Sequence, residues 1–410
     1  MALVVCGKQF SARESNLTLF LIFCLVLVIA VLVSEIAEKS VLSSSVLFLA
    51  AGFMVGRNLF GKVPDVPPDL LRRIAELALF SILFTDGIRT GGLRCVAEFW
   101  HLSGRALLIG MPLTIAGIAL IGHGLLHTNW LQAFLVAAVL SPTDPVFVSA
   151  VFRFEGVPNS VKRVLNIESG LNDGLALPVV LLLLPHLGGK QGELRSAVFE
   201  LLLGIVVGIV VPWLVIKLQE SRFLNAVGLF EPLNAFAIGL LVLAVCYRSG
   251  ANIFLGAFAA GITVASLSLQ VAEAFERFGE LVAELLKLLA LLLFGAAMAP
   301  RFFVALSPWD YAFVVLATFA VRPLAILLAM AGTELTRREI WVVGWFGPKG
   351  FASVVYGILI LQAGFGHLAH LVGLAVITSI IVYSSTDIFV GKWFKPKDAG
   401  ENGASGIAET

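Results

Sequence analysis

Long runs of apolar residues, separated by short polar or Gly- and Pro-containing connections, recur along the whole of this 410-residue chain. A helix needs about 20 predominantly apolar residues to cross the hydrocarbon core of a bilayer. Charged residues make up 13% of the chain, whereas a soluble domain carries roughly 25%. The mean hydropathy is +0.97. These features predict an all-α polytopic membrane protein and leave no polar stretch long enough for a soluble catalytic domain.

The apolar runs and the polar, Gly or Pro residues between them predict about thirteen transmembrane helices. They cover residues 16–34, 41–56, 70–87, 103–122, 129–152, 161–185, 196–219, 233–248, 252–269, 281–299, 308–331, 338–361 and 366–391. We expect the first run to be a span and not a signal peptide, because its apolar core is long and no small-residue cleavage site follows it. Residues 1–15 precede this membrane domain of residues 16–391, and residues 392–410 are expected to form a short cytoplasmic tail.

The distribution of Lys and Arg among the loops predicts the orientation. More of them fall in cytoplasmic loops if the N-terminus lies outside and the C-terminus inside. We expect an integral protein of a bacterial inner membrane with that topology. The net charge of +1 gives no basic field for nucleic acid. The four cysteines lie far apart and predict neither a disulfide framework nor a zinc site.

Two predicted spans contain helix-breaking motifs. In the fifth, residues 140–146 place a proline on each side of Asp144, and in the twelfth, residues 344–350 form a Gly/Pro cluster that contains Lys349. Proline removes a backbone donor and clashes with the preceding turn, so both helices should unwind there. Breaks at matching positions predict two six-helix inverted repeats, in which helices 5 and 12 cross near a site at mid-membrane.

The sixth predicted span carries a compact polar cluster. Ser169 and Asp173 are four residues apart and face one side of the helix, with Asn172 beside them. Glu168 lies about 140° around the helix axis from Asp173, so the two acids should serve different partners. Carboxylate, hydroxyl and amide oxygens are hard ligands suited to Na⁺, K⁺ or Li⁺, and no set of soft-metal ligands accompanies them.

Charged groups inside a membrane cost several kcal/mol unless they are paired or hydrated, so each deep charge is a functional candidate. The deep charges are Asp86, Asp144, Glu168, Asp173, Arg322 and Lys349, with Glu284 and Lys287 as weaker candidates. Glu284 and Lys287 are three residues apart, which is typical of a partly hydrated local pair.

Unwinding at Pro142 and Pro145 would free backbone carbonyls, including that of Thr143, to act as ion ligands beside Asp144. Burial favours the protonated form of a carboxyl group, and a nearby cation favours the ionised form. One site can therefore hold a proton or a metal ion, but not both. Competition for Asp173 is the simplest exchange mechanism that these residues allow.

Four motifs occur in a fixed order: residues 141–145, 168–174, 321–323 and 344–350. In this order they resemble the monovalent cation/proton antiporter family, and most closely its NhaP-type and sodium/proton exchanger branch. The resemblance implies that Asp173 is the main acid that binds the ion and the proton, and that Thr143, Asp144 and Ser169 complete the site. Asn172 would mark the electroneutral branch. Glu168 and Arg322 would form a structural salt bridge.

The same resemblance implies a homodimer whose ion-binding core moves against a scaffold. The scaffold would comprise residues 16–100 and 196–299, and the core residues 103–185 and 308–391. Two departures from the family pattern leave alternatives open. The acid of the third span is Asp86, which either lies near the ion or stabilises the cytoplasmic end of the helix. The basic residue of the twelfth span is Lys349, which either offsets a helix dipole or pairs with Asp144 and takes part in coupling.

The sequence therefore predicts a secondary antiporter, with Na⁺ as the favoured cation and K⁺ as the alternative. It predicts no cofactor beyond the transported ions, and no enzymatic activity. Two more remote alternatives are an intramembrane aspartyl protease, which would use two membrane Asp residues, and a non-transporting sensor or a channel. No Gly-x-x-x-x-Gly-Lys-Ser/Thr motif is present, which argues against a nucleotide-driven pump.

Overall fold

The computed structural model describes residues 17–32, 44–55, 67–98, 100–144, 157–187, 194–219, 230–297 and 306–393, and the regular secondary structure in these ranges is helical. The helices are α1 (Leu17–Leu32), α2 (Ser44–Val55), α3 (Pro68–Arg89), α4 (Gly92–Glu98), α5 (Trp100–Leu126), α6 (Trp130–Leu140), α7 (Asn159–Leu187), α8 (Leu194–Gln219), α9 (Phe230–Ser249), α10 (Ile253–Leu267), α11 (Leu269–Ala297), α12 (Pro308–Ala329), α13 (Arg337–Trp345), α14 (Phe351–Gln362) and α15 (Gly366–Trp393). Within the described residues, six helices are long and apolar enough to cross a membrane: α5, α7, α8, α9, α12 and α15 up to Tyr383.

The tenth predicted span differs most from the structure. Helix α11 begins at Leu269 and not near residue 281. Its first half carries four acids on one face, Glu273, Glu276, Glu280 and Glu284, which lower the local hydropathy although the helix continues. The run of apolar residues alone therefore placed the start of this helix too late.

The interruption of the twelfth predicted span is present in the structure. Helix α13 ends at Trp345, helix α14 begins at Phe351, and the residues between them are not helical. In the fifth span, α6 ends at Leu140 and residues 141–144 are not helical, while Pro145 and the rest of that span lie outside the described residues. A further interruption at Ala320 divides α12, because Pro323 has no backbone donor for the preceding turn.

Glycines bring several helices into backbone contact. A Cβ atom at Gly261 of α10 would lie 2.2 Å from the Phe84 carbonyl oxygen of α3. A Cβ atom at Gly52 of α2 would lie 2.1 Å from the Leu292 carbonyl oxygen of α11. In membranes, packing of this kind replaces the hydrophobic driving force, because lipid is as apolar as the protein core. The first contact fixes α10 against α3, and the second fixes α2 against α11.

We expect Gly261→Ala to lower the thermal unfolding midpoint in detergent, because the new methyl group meets a backbone oxygen that cannot move independently. The cost of such overpacking is about 1–3 kcal/mol. Gly124→Ala is the matched control, since nothing lies within 4 Å of its added Cβ atom. Equal midpoints for the two variants would contradict the proposed close packing of α3 and α10.

Candidate functional site

The carbonyl groups freed at the end of α6 are satisfied by two serine hydroxyls. The Ser141 hydroxyl donates to the Ala138 carbonyl oxygen at 3.1 Å, and the Ser353 hydroxyl of α14 donates to the Val139 carbonyl oxygen at 2.7 Å. Both serines are buried. Helix α14 therefore supports the interrupted segment directly, through the Ser353 side chain.

The two interrupted segments meet at Asp144. Its backbone N–H donates to the Pro348 carbonyl oxygen at 3.0 Å, and its Oδ2 accepts a hydrogen bond from the Phe351 N–H at 3.4 Å. Phe351 begins α14, so the carboxylate lies at a helix N-terminus, where the helix dipole stabilises negative charge. Gly350 permits this approach, because a Cβ atom there would lie 2.8 Å from the Asp144 Cβ.

Thr143 is held by two residues of α7. The Asn172 side-chain amide donates to the Thr143 hydroxyl at 2.6 Å and reaches its carbonyl oxygen at 3.4 Å. The Ser169 and Thr143 hydroxyl oxygens are 3.4 Å apart. The Asn172 Oδ1 atom has no hydrogen-bond partner among the described residues. The structure thus brings together Thr143, Ser169 and Asn172, and Asn172 leaves one oxygen available.

Asp173 is buried, with 4% of its surface exposed. Its Oδ1 atom has no hydrogen-bond partner among the described residues, while its backbone carbonyl accepts a bond from the Tyr356 hydroxyl at 3.3 Å. A buried carboxylate without a partner is costly, by about 2 kcal/mol or more. Binding of a proton or of a cation removes that cost.

Asp86, Asp144 and Asp173 line one open cavity. The other lining residues are Ile82, Thr85, Arg89, Glu280, Ala283, Glu284, Lys287 and Phe351. The Asp86 Oδ2 atom has no hydrogen-bond partner among the described residues, and the residue is 5% exposed. Of the two alternatives for Asp86, the structure therefore places its side chain at the cavity that also contains Asp144 and Asp173.

The cavity opens beside an ion pair between α3 and α11. Arg89 Nη2 lies 2.8 Å from Glu280 Oε1, and its Nε lies 3.9 Å from Glu276 Oε1. These glutamates are more than half exposed, whereas the three aspartates are buried. The acids along this cavity therefore change from solvated to desolvated, and electrostatic interactions are stronger at the desolvated end.

Glu168 lies away from the cavity and contacts Arg322 through both carboxylate oxygens. Arg322 Nη1 is 2.7 Å from Glu168 Oε1, and Nη2 is 2.9 Å from Oε2. Arg322 Nη2 also approaches the carbonyl oxygens of Val343, at 3.5 Å, and Phe346, at 3.4 Å, at the end of α13. The pair joins α7, α12 and α13, and its guanidinium compensates the negative end of α13.

Lys349 is fully buried between the interrupted segment and α15. Its backbone N–H donates to the Ser379 hydroxyl at 2.6 Å. Its ammonium group has no hydrogen-bond acceptor among the described residues, so a Lys349–Asp144 hydrogen bond is not part of the described structure. The C-terminal end of α13 is contacted by Arg322 and not by the Lys349 ammonium group.

Sequence reasoning missed several residues of this site. Ser353 and Tyr356 support it from α14, and Ser379 supports it from α15. Ser353 and Tyr356 are three residues apart in an otherwise apolar run, and this polar pair was the available signal. The predicted local pair of Glu284 and Lys287 is present, and the Lys287 side chain also lines the cavity, which the sequence did not indicate.

Three comparisons with known proteins agree on one kind of protein. Residues 10–392 match the family described as "Sodium/hydrogen exchanger, transmembrane". The curated K(+)/H(+) antiporter NhaP of Alkalimonas amylolytica is 27% identical over 399 residues, which are 94% of this chain and 68% of that protein. The K(+)/H(+) antiporter NhaP2 of Shewanella sp. (strain MR-4) is 25% identical over 359 residues, which are 86% of this chain and 62% of that protein.

A solved structure of the sodium proton antiporter MjNhaP1 from Methanocaldococcus jannaschii at pH 8 has a TM-score of 0.73 to this chain. The identity is 17%, and the match covers 93% of this chain and 97% of that chain. This likeness shows the fold and confirms an all-helical membrane protein. The chain spans about two thirds of the length of the curated relatives.

We expect Glu168→Gln to lower the thermal unfolding midpoint in detergent by the equivalent of about 3 kcal/mol, because Arg322 stays buried and loses its anionic partner. Arg72→Gln is the control, since the Arg72–Glu76 pair is partly exposed, with 45% of the Arg72 side chain accessible, and should contribute at most about 1 kcal/mol. An unchanged midpoint together with loss of transport would show that Glu168 is not a structural residue.

Proposed function

The chain belongs to the sodium/hydrogen exchanger family, and we propose that it exchanges a monovalent cation for protons by competition of the two for Asp173. Members of this family are transporters, so the chain is not an enzyme. The observation that supports the mechanism best is the carboxyl group of Asp173, which is buried in the cavity with an oxygen that no described residue satisfies. Such an oxygen is available to a proton or to a cation.

The surrounding residues have complementary parts in this proposal. The Asp144 carboxyl group lies beside the N-terminus of α14, where negative charge is stabilised, and attracts the cation toward the interrupted segment. Asn172 holds Thr143 in position and offers its Oδ1 atom. Asp86 extends the negative field toward the cavity mouth. A cation that arrives at Asp173 displaces the proton, and a proton that arrives on the other side of the membrane displaces the cation.

The cavity lies at the boundary that the core and scaffold assignment requires. Its walls come from α3 and α11, in the proposed scaffold of residues 16–100 and 196–299. They also come from residues 141–144, α7 and α14, in the proposed core of residues 103–185 and 308–391. Sliding of the core along the scaffold would move Asp144 and Asp173 so that they face first one side of the membrane and then the other, which is alternating access.

The remaining architecture is proposed on the same basis. About thirteen spans would form two inverted six-helix repeats. The contact of Asp144 with Pro348 supports the crossing of the fifth and twelfth predicted spans, residues 129–152 and 338–361. The N-terminus would lie outside and the C-terminus in the cytoplasm of a bacterial cell, and two copies would form a homodimer. The residue directly before Asp173 is the neutral Asn172 and not a second acid. The absence of a second charge at this position supports electroneutral exchange of one cation for one proton.

K⁺ and Na⁺ are the two candidate cations. The relatives that align over most of the chain are named K⁺/H⁺ antiporters at 23–27% identity. The structural neighbour named for sodium is 17% identical, which is too low to carry its substrate to this chain. We therefore propose that K⁺ is tested first, although the sequence motifs alone favour Na⁺. Carboxylate, amide and carbonyl oxygens serve both ions.

We expect Asp173→Asn to reduce cation-driven proton flux in proteoliposomes to the background of empty vesicles, because the amide neither releases a proton nor neutralises a cation. The measurement is dequenching of a pH-sensitive dye after addition of K⁺, Na⁺ or Li⁺ separately, with the membrane potential clamped. Asp69→Asn is the matched control, since Asp69 is an exposed acid in the first turn of α3.

The thermal unfolding midpoint of both variants should stay close to that of the unmodified protein, which separates loss of function from loss of fold. Exchange that persists in Asp173→Asn would overturn the assignment of Asp173. Absence of flux with every cation in the unmodified protein would overturn the proposed function itself.

A further inference from the structure

Lys287 of α11 is a buried cation that faces the acids of the cavity. Only 3% of the residue is exposed, and its ammonium group contacts Glu284 Oε2 at 2.5 Å. Its side chain lines the same cavity as Asp86 and Asp173. It also lines a second, smaller cavity that reaches Asp144 and Lys349.

The Lys287–Glu284 pair is asymmetric in a way that a surface pair is not. The Glu284 side chain is 34% exposed, whereas that of Lys287 is 4% exposed. The carboxylate therefore lies nearer to solvent and the ammonium nearer to the ion site. Glu284 holds the lysine from the solvent side, and the inner aspartates attract it from the other side.

Two other basic groups near the cavity are engaged elsewhere, and Lys349 is not among the residues that line it. Arg89 contacts Glu280 and Glu276 at the mouth, and Arg322 contacts Glu168 outside the residues that line the cavity. Among the described residues that line the cavity of the three aspartates, the acids are Asp86, Asp144, Asp173, Glu280 and Glu284, and the bases are Arg89 and Lys287. Lys287 is thus the base that shares the desolvated end of this cavity with the three aspartates.

An ammonium group carries the same charge as K⁺ or Na⁺ and acts on the same carboxylates. We propose that Lys287 is a resident cation of the transport cavity, held back from the aspartates by Glu284, and that this pair sets the affinity for the transported cation. The inference rests on the proposed function and adds to it an affinity-determining residue on the scaffold side. Lys287 is here a positioning charge and not a ligand of the ion.

The two halves of the pair should have opposite effects on transport. Lys287→Met removes the competing charge and leaves Glu284, so the apparent KM for the cation should fall, on the order of tenfold. Glu284→Gln releases the ammonium toward the aspartates, so the apparent KM should rise by a similar factor. The double variant restores the charge balance of the pair, and its KM should return close to that of the unmodified protein.

A pair that only holds α11 in place predicts a different pattern. Both single variants would then lower the thermal unfolding midpoint or the maximal rate, and neither would move KM in a direction that depends on the charge removed. Lys287→Arg keeps the positive charge and should retain a KM within about twofold of the unmodified protein. Arg72→Gln and Glu76→Gln are the control variants. They remove the two charges of another ion pair within one helix, on α3, and this pair does not line the cavity.

The experiment measures cation-driven proton flux in proteoliposomes over a range of cation concentrations for all these variants. The cation concentration that gives half-maximal thermal stabilisation of the purified protein is measured in parallel and should shift in the same directions. Opposite shifts for Lys287→Met and Glu284→Gln, cancelled in the double variant, support the inference. Shifts of the same sign, or none, overturn it while wild-type exchange stands. Absence of wild-type flux would instead overturn the proposed function, and the stabilisation data would still test the pair.

Discussion

Carboxyl groups inside a membrane have neither water nor lipid to solvate their charge, and the arrangement around Asp173 depends on this constraint. Among the described residues, one oxygen of this acid has no hydrogen-bond partner, and neither do the nearby Asn172 Oδ1 and Asp86 Oδ2 atoms. Asn172 contacts Thr143 and not Asp173, and the Tyr356 hydroxyl reaches only the backbone of Asp173. An acid kept in this condition is stabilised by whichever positive species arrives, which is the requirement for an exchanger.

Where the helices are interrupted, side chains from other helices contact backbone carbonyl groups that the break leaves without a helical partner. Unwinding inside a membrane exposes polar groups that must be satisfied by the protein. At the end of α6, the Ser353 hydroxyl donates to the Val139 carbonyl oxygen. At the end of α13, the Arg322 guanidinium approaches the carbonyl oxygens of Val343 and Phe346. The Glu168–Arg322 pair is separate from the acids of the cavity, because Glu168 and Asp173 lie on different faces of α7.

Motifs with strong local chemistry were predictable from the sequence, and features that depend on packing between distant segments were not. Asp173, Thr143 and Ser169 could be singled out because polar residues in an apolar run are conspicuous, and the break before α14 followed from Gly and Pro. The start of α11 was placed too late, because its acidic face resembles a loop in composition. The position of Lys287 in the cavity depends on how α11 packs against α3 and α14, and spacing along one helix does not contain that information.

The central claim is that a cation and a proton compete for one buried carboxyl group. It is tested most directly by titrating K⁺ or Na⁺ into the purified protein in a weakly buffered solution and measuring the protons released. We predict release of about one proton for each cation bound, lost in Asp173→Asn and retained in Asp69→Asn. Cation binding without proton release, or release that persists in Asp173→Asn, would contradict the account.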